Sequence, residues 1–192
     1  MQNAIRSTLK VSNWLRIMAG EEIRQTSKPD TAGKPATVRS MPESLAAEAA
    51  VLGSMLIDPE CIGEVIEIVE RDAFYRIEHR HIFESLITLY EKNKGVGIDA
   101  VLLRDELVKR NHLEEAGGVE YIAKILDSVP SSANVAYYAG VVKEKMLLRE
   151  LIATAGEILE NAYNQTGEPQ EVLDEAEQRI FAVTDRNISG GA

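Results

Sequence analysis

The sequence predicts an all-α protein: a compact bundle of short helices followed by a projecting α-helical hairpin and linker helix. Three observations predict it. Apolar residues beyond Pro42 recur at steps of three and four, and no stretch alternates at period two long enough to demand a strand. Aromatic residues make up only 5% of the chain, which suits helices better than sheets. The segment DSVPSSANVAYYAGVVKEK then interrupts one helical run and starts a far longer one.

Residues 1–41 read as a basic extension and linker, expected to be poorly ordered. AIRSTLKVSNWLRIMAG sets Ile5, Leu9, Val11, Leu15 and Met18 among Arg6, Lys10 and Arg16, a pattern that a transit peptide also shows. A Lys/Pro/Gly/Thr linker, TSKPDTAGKPATVRS, follows. A helical head is expected over 42–130. In its first helix Leu45, Ala49, Leu52 and Leu56 make one stripe. Asp58 is placed to cap the next helix, with Pro59 in its first turn. Ile77, Ile82, Phe83, Leu86, Leu89 and Tyr90 mark a third helix, and Asp99 caps a fourth. Gly117-Gly118 reads as a tight turn before a fifth, carrying Val119, Ile122, Ile125 and Leu126.

Pro130 bars that helix from continuing, because residues ahead of proline avoid the α region. Ser131, Ser132 and Asn134 can each accept a backbone N–H at a new start, with Asn134 the expected cap, so Pro130 and Asn134 form a structural joint. The hairpin region, 131–167, then holds an uninterrupted helix to about Asn164, roughly 45 Å long at about 1.5 Å per residue. Its apolar residues, from Tyr137 to Ala162, exceed one stripe. A second hairpin or linker helix with a tail, 168–192, starts with Pro169 at its first position. Two antiparallel helices can share part of this apolar surface, or the last one can peel away. Either way the surplus calls for a partner.

Charge narrows the functions. The net charge is −10, divided as +4 over residues 1–40 and −14 over 41–192. An acidic body repels phosphates, so direct DNA binding is expected to be weak or absent there. The arm, with Arg6, Lys10, Arg16, Arg24, Lys28 and Lys34, offers the alternative of a nucleic-acid binder. No phosphate-cradling loop is present, since Gly33-Lys34-Pro35 lacks both the spaced upstream glycine and a following hydroxyl. No catalytic, cofactor-binding or metal-binding residue is expected, and no cofactor. His79 and His81 lie two apart on a helix and point apart, and His112 is distant in sequence. Cys61, the single cysteine, reads as a small core residue, and its isolation suits a reducing, cytoplasmic setting. No apolar run approaches the roughly 18 residues of a membrane span.

The residues also carry a resemblance. PESLAAEAAVLGSMLIDPE, FYRIEHRHIFESLITLYEKN, GIDAVLLRDEL, GGVEYIAKILDSVPSSANVAYYAGVVKEKMLLRELI and LDEAEQRIFAVTDR together resemble the N-terminal domain of the bacterial replicative DNA helicase of the DnaB type. The likeness covers about 42–190 and is most specific between Gly117 and Lys145. Ala46 departs from it, standing where the family usually has an acid, and so does the basic extension. The RecA-like ATPase domain that the family carries after this point is not in the chain, so ATP and Mg are expected only with that motor.

What the resemblance implies is an N-terminal collar domain for oligomerisation and primase interaction in DNA replication and primosome assembly. It implies a homo-oligomer, a dimer or trimer of dimers, that binds the primase C-terminal domain, with a helicase loader as a further expected partner, in the bacterial cytoplasm near the nucleoid. Carried over by position, Tyr121, Ile152 and Ile158 would contact primase. Spacing suggests self-association through Tyr138, Val142, Leu148 and Leu159. The seam Leu173, Ala176, Ile180 and Val183 would dock the linker helix on a motor domain. A stand-alone adaptor or regulator of helicase rings is the alternative within replication.

Overall fold

A computed structural model describes residues 40–93, 97–164 and 168–189, all within Ser40–Ala192, one of the two units into which the chain divides. The expectations for the basic extension and its arm lie outside the described residues. Among the described residues seven α-helices follow one another: α1 Leu45–Ile57, α2 Ile62–Ile68, α3 Ile77–Asn93, α4 Ala100–Lys109, α5 Gly118–Leu126, α6 Val135–Asn164 and α7 Pro169–Ser189. Short 3-10 turns, Pro59–Cys61 and Arg71–Ala73, precede α2 and α3. The fold is all-α, with no strand among the described residues.

The helix α1 is the centre of the head. Nine of its thirteen residues are buried, on every side, and it packs against α3, α5 and α6. One apolar stripe was therefore too narrow a reading; a helix without charge from Ala49 to Ile57 can be enclosed all round. Gly53 permits the closest approach. A Cβ there would sit 2.5 Å from the Ile125 carbonyl oxygen and 2.7 Å from Ser128 Oγ. The Ser128 hydroxyl reaches both Ile125 O, at 2.6 Å, and Ala49 O, at 3.0 Å, which ties the end of α5 to α1.

A single core joins Leu52 and Met55 of α1, Ile62 and Val65 of α2, Phe83 and Leu86 of α3, Leu103 and Leu107 of α4, and Ile122 and Ile125 of α5. Phe74 completes it, its ring centroid 4.7 Å from that of Phe83. Each such side chain contributes about 1.5–3 kcal/mol by leaving water. Ile77 and Val119, expected on inner stripes, are exposed instead, because each stands at the start of its helix beyond the contact.

Local chemistry sets the boundaries. Asp58 caps the 3-10 turn through Glu60 N–H, with Pro59 next to it, and Asp99 accepts from both Val101 and Leu102 N–H. Gly117 and Gly118 take φ of +87° and +73°, a left-handed turn closed by N–H bonds to the Glu114 and Leu113 carbonyls. A Cβ on Gly117 would also lie 2.8 Å from Tyr121 Cβ, so glycine lets that ring lie over the turn.

Candidate interaction surfaces

The joint between α5 and α6 is held by side chains from far along the chain. Val135 N–H donates to the Ser132 carbonyl, and Tyr138 N–H donates to that of Asn134 at 3.2 Å. The Ser132 hydroxyl, rather than capping the helix, donates to Asp58 Oδ2 at 2.8 Å. One carboxylate thus closes the 3-10 turn and anchors the loop that launches α6. Four turns along, Arg149 reaches back to the carbonyls of Pro42, at 2.9 Å, and Ala73, at 2.5 Å, and lies over the Tyr75 ring. Burial lowers the guanidinium's proton affinity, an effect opposed by the nearby Glu48 carboxylate. These two attachments set the direction in which α6 leaves the head.

The first turns of α6 belong to the head core: Val135, Ala139 and Val142 are buried there. Val142 therefore does not join a self-association face. Its side chain is 1% exposed because α6 packs on α1 and α2 at that level. Tyr138 is half-buried against the same core, whereas Leu148 and Leu159 are exposed. With Leu151, Ile152 and Ala155 they make an exposed apolar face. Ile152 lies on that face, and Ile158 is half-buried.

Helix α7 packs back on α6, forming a hairpin. Arg179 spans it, pairing with Glu157 on α6 and with Glu175 on its own helix at 2.7 Å. The seam expected along α7 divides: Ala176 and Val183 are half-buried, whereas Leu173 and Ile180 are exposed, beside an exposed Phe181. The half-buried row is Val172, Ala176, Arg179 and Val183, at steps of four, three and four.

Tyr121 sits at the surface end of a polar chain that penetrates the head. Its hydroxyl lies 2.7 Å from His79 Nε2 and accepts from Arg76 Nη1 at 3.1 Å. His79 Nδ1 lies 2.6 Å from Glu48 Oε2, and both residues are fully buried. Glu48 also accepts the backbone N–H groups of Tyr75, at 2.8 Å, and Arg76, at 3.4 Å. With the His79 proton on Nδ1, the donors run one way, from Arg76 through Tyr121 and His79 to Glu48. Sequence reasoning missed Glu48 and His79, although an acid amid LAAEAAVLG was the available signal: a charge within a buried helix needs partners.

Two further features complete the surface. His81 of α3 meets His112 and Glu115 of the α4–α5 loop, a grouping that linear spacing could not reveal. An open groove of about 760 Å³ runs between α2, α6 and α7, lined by Ile66, Val69 and Met146 with Glu67, Glu70 and Lys143. Its acids disfavour a phosphate-bearing ligand. No helix among the described residues is long and apolar enough to cross a membrane.

Helical head, fixed joint and a hairpin with an exposed apolar face define a class of all-α domain with known relatives. The chain belongs to the DnaB-like helicase N-terminal domain family, whose model matches residues 40–144. It is 40% identical over 152 residues to the replicative DNA helicase DnaB of Geobacillus stearothermophilus, covering 79% of this chain and 33% of that protein. It is 38% identical over 148 residues to the replicative DNA helicase DnaC of Bacillus subtilis, covering 77% and 32%. The chain thus spans about a third of the length of these relatives. Among solved structures, the N-terminal domain of DnaB helicase from Mycobacterium tuberculosis superposes with a TM-score of 0.68 at 36% identity, covering 75% of this chain and 99% of that one. A DnaB-like replicative helicase described with its interactions with primase superposes at 0.59 and 26% identity, covering 73% and 31%.

Proposed function

We propose that this chain acts as a replicative-helicase collar domain, pairing with copies of itself through the hairpin and receiving primase on Tyr121 of the head and on the hairpin. The observation that carries this reading is the exposed apolar face of α6, with Leu148, Leu151, Ile152 and Leu159 uncovered within the chain. Contiguous apolar surface of this kind marks an interface. The head spans 42–130, the hairpin region 131–167 and the linker helix 168–192. Self-association uses Leu148 and Leu159 with the rim of Tyr138, giving a dimer or a trimer of dimers. The primase C-terminal domain docks on Tyr121, Ile152 and Ile158. Leu173 and Ile180, exposed on α7, dock on a motor domain, which alone would use ATP and Mg. A loader is a further partner, direct DNA contact is weak, and the setting is the bacterial cytoplasm near the nucleoid.

Light scattering of the full chain, alone and with a primase C-terminal domain, tests this. A dimer or hexamer that gains mass with primase is expected. Leu148→Asp with Leu159→Asp should yield monomer with an unchanged helical spectrum, and Ile152→Asp should weaken the primase complex. A parent chain that stays monomeric and ignores primase would overturn the proposal.

A further inference from the structure

The three histidines of the described head differ in how their ring nitrogens are used. His79 has both committed, to Glu48 and to Tyr121. His81 does not. Its Nε2 lies 3.2 Å from Glu115 Oε2, while its buried Nδ1 has no hydrogen-bond partner among the described residues. Buried polar atoms are ordinarily paired, so this ring is held less completely than that of His79, and it stands beside a second ring and a carboxylate. The second ring is His112, its centroid 4.0 Å from that of His81 with the planes inclined at 44°. One ligand atom from each of His81, His112 and Glu115 lies within 4.8 Å of the others.

We propose that His81, His112 and Glu115 bind a borderline divalent transition cation of the Zn²⁺ type, with water as the fourth ligand. The donor set, two imidazoles and one carboxylate, is one that zinc accepts. At bond lengths of about 2.0–2.1 Å, neighbouring ligand atoms of a tetrahedral zinc stand about 3.3 Å apart. The His81 Nε2–Glu115 Oε2 separation of 3.2 Å already matches that edge, so Nε2 is the ligating nitrogen, the ring proton sits on Nδ1, and only His112 has to close in. Half-exposed, it is free to do so from its loop.

The surroundings favour a neutral, ligating ring. Burial pushes the His81 proton affinity down, the neighbouring His112 and Arg71 push the same way, and Glu115 and Glu84 oppose them. A neutral imidazole offers a metal its lone pair without first losing the imidazolium proton. Glu84 does not compete as a ligand: Arg71 holds it at 3.2 Å and Arg110 at 3.4 Å. The loop is also shaped in advance, with Asn111 at φ +59°, His112 N–H bonded to the Leu107 carbonyl and Ala116 N–H to that of His112. A cation here would fasten the α4–α5 loop to α3, immediately ahead of the Gly117-Gly118 turn and Tyr121. It would thus act as a clasp on the platform that carries Tyr121.

The test uses the full chain without an affinity tag, stripped with a chelator and titrated with ZnCl₂ by calorimetry. One equivalent should bind, and His112→Ala and Glu115→Gln should each weaken it at least about tenfold, as loss of a ligand demands. Glu114→Gln, an exposed acid next door, should leave it unchanged, with parent-like circular dichroism for all three variants. In proton NMR, zinc should move the ring signals of His81 and His112 and spare those of His79. Absence of uptake at tenfold molar excess, or uptake indifferent to both His112→Ala and Glu115→Gln, would overturn the site.

Discussion

Tyr121 Oη and His79 Nε2 stand 2.7 Å apart, and through that contact a half-exposed side chain of α5 is coupled to the buried Glu48 of α1. Tyr121 is thus both a surface group and the outer cap of an internal polar chain. Tyr121→Phe should keep the ring over Gly117 but leave His79 Nε2 without its partner. A loss of about 1–3 kcal/mol is expected in urea unfolding, the usual penalty for an orphaned buried polar atom. A Phe variant as stable as the parent would show that water replaces the hydroxyl.

Gly53→Ala should destabilise the head although alanine is the better helix former. Its Cβ would meet a backbone oxygen at 2.5 Å, which cannot rotate away, so α1 and the end of α5 must separate. Overpacking of this kind costs about 1–3 kcal/mol, against a helix-propensity gain of about 1 kcal/mol. Thermal unfolding should show a lower midpoint. An unchanged or raised midpoint would mean that the two helices slide apart without loss.

Arg149 should matter more to the hairpin's direction than to the head's survival. Arg149→Met keeps much of the stem but leaves the Pro42 and Ala73 carbonyls without their donor. Proteolysis within α6 should accelerate, with hydrogen exchange faster around Arg149 than in α1. Equal exchange in parent and variant at both places would remove Arg149 from this role.

Acid should weaken the protein in two stages. His81 has a proton affinity lowered from its ordinary value of 6.5, chiefly by burial. The folded state therefore binds fewer protons than the unfolded chain, so its contribution is complete above about pH 6.5 and is lost as pH falls through the lowered folded value. Glu106 is also lowered, from 4.5, first by the hydrogen bond from Lys92 and then by that from Arg110. Its contribution holds above about pH 4.5 and disappears as pH falls further. NMR titration should give His81 a midpoint below 6.5, and a higher one would contradict its burial. Glu106→Gln should flatten the acid limb of the stability profile.

Much of this architecture was legible because it depends on neighbours in sequence. The caps at Asp58 and Asp99, the glycine turn before α5, the break at Pro130 and the thirty residues of α6 follow from backbone chemistry within a few positions. The resemblance rested on the same local strings. Residues without a local cause were misread. Val142 shares its helix with Leu148 and has the same apolar character, yet only packing on α1 and α2 buries the first and leaves the second bare.

By itself, then, the sequence determined where helices begin and end, that they are amphipathic beyond their own needs, and which family they belong to. Only the tertiary structure decided which apolar positions are left over, because burial depends on what lies opposite a side chain. It also decided the polar chemistry. Glu48 and His79 are 31 positions apart, and Asp58 and Ser132 are 74 apart. His81 and His112 become neighbours only when the α4–α5 loop folds against α3. Periodicity reads one helix at a time; such contacts exist only between them.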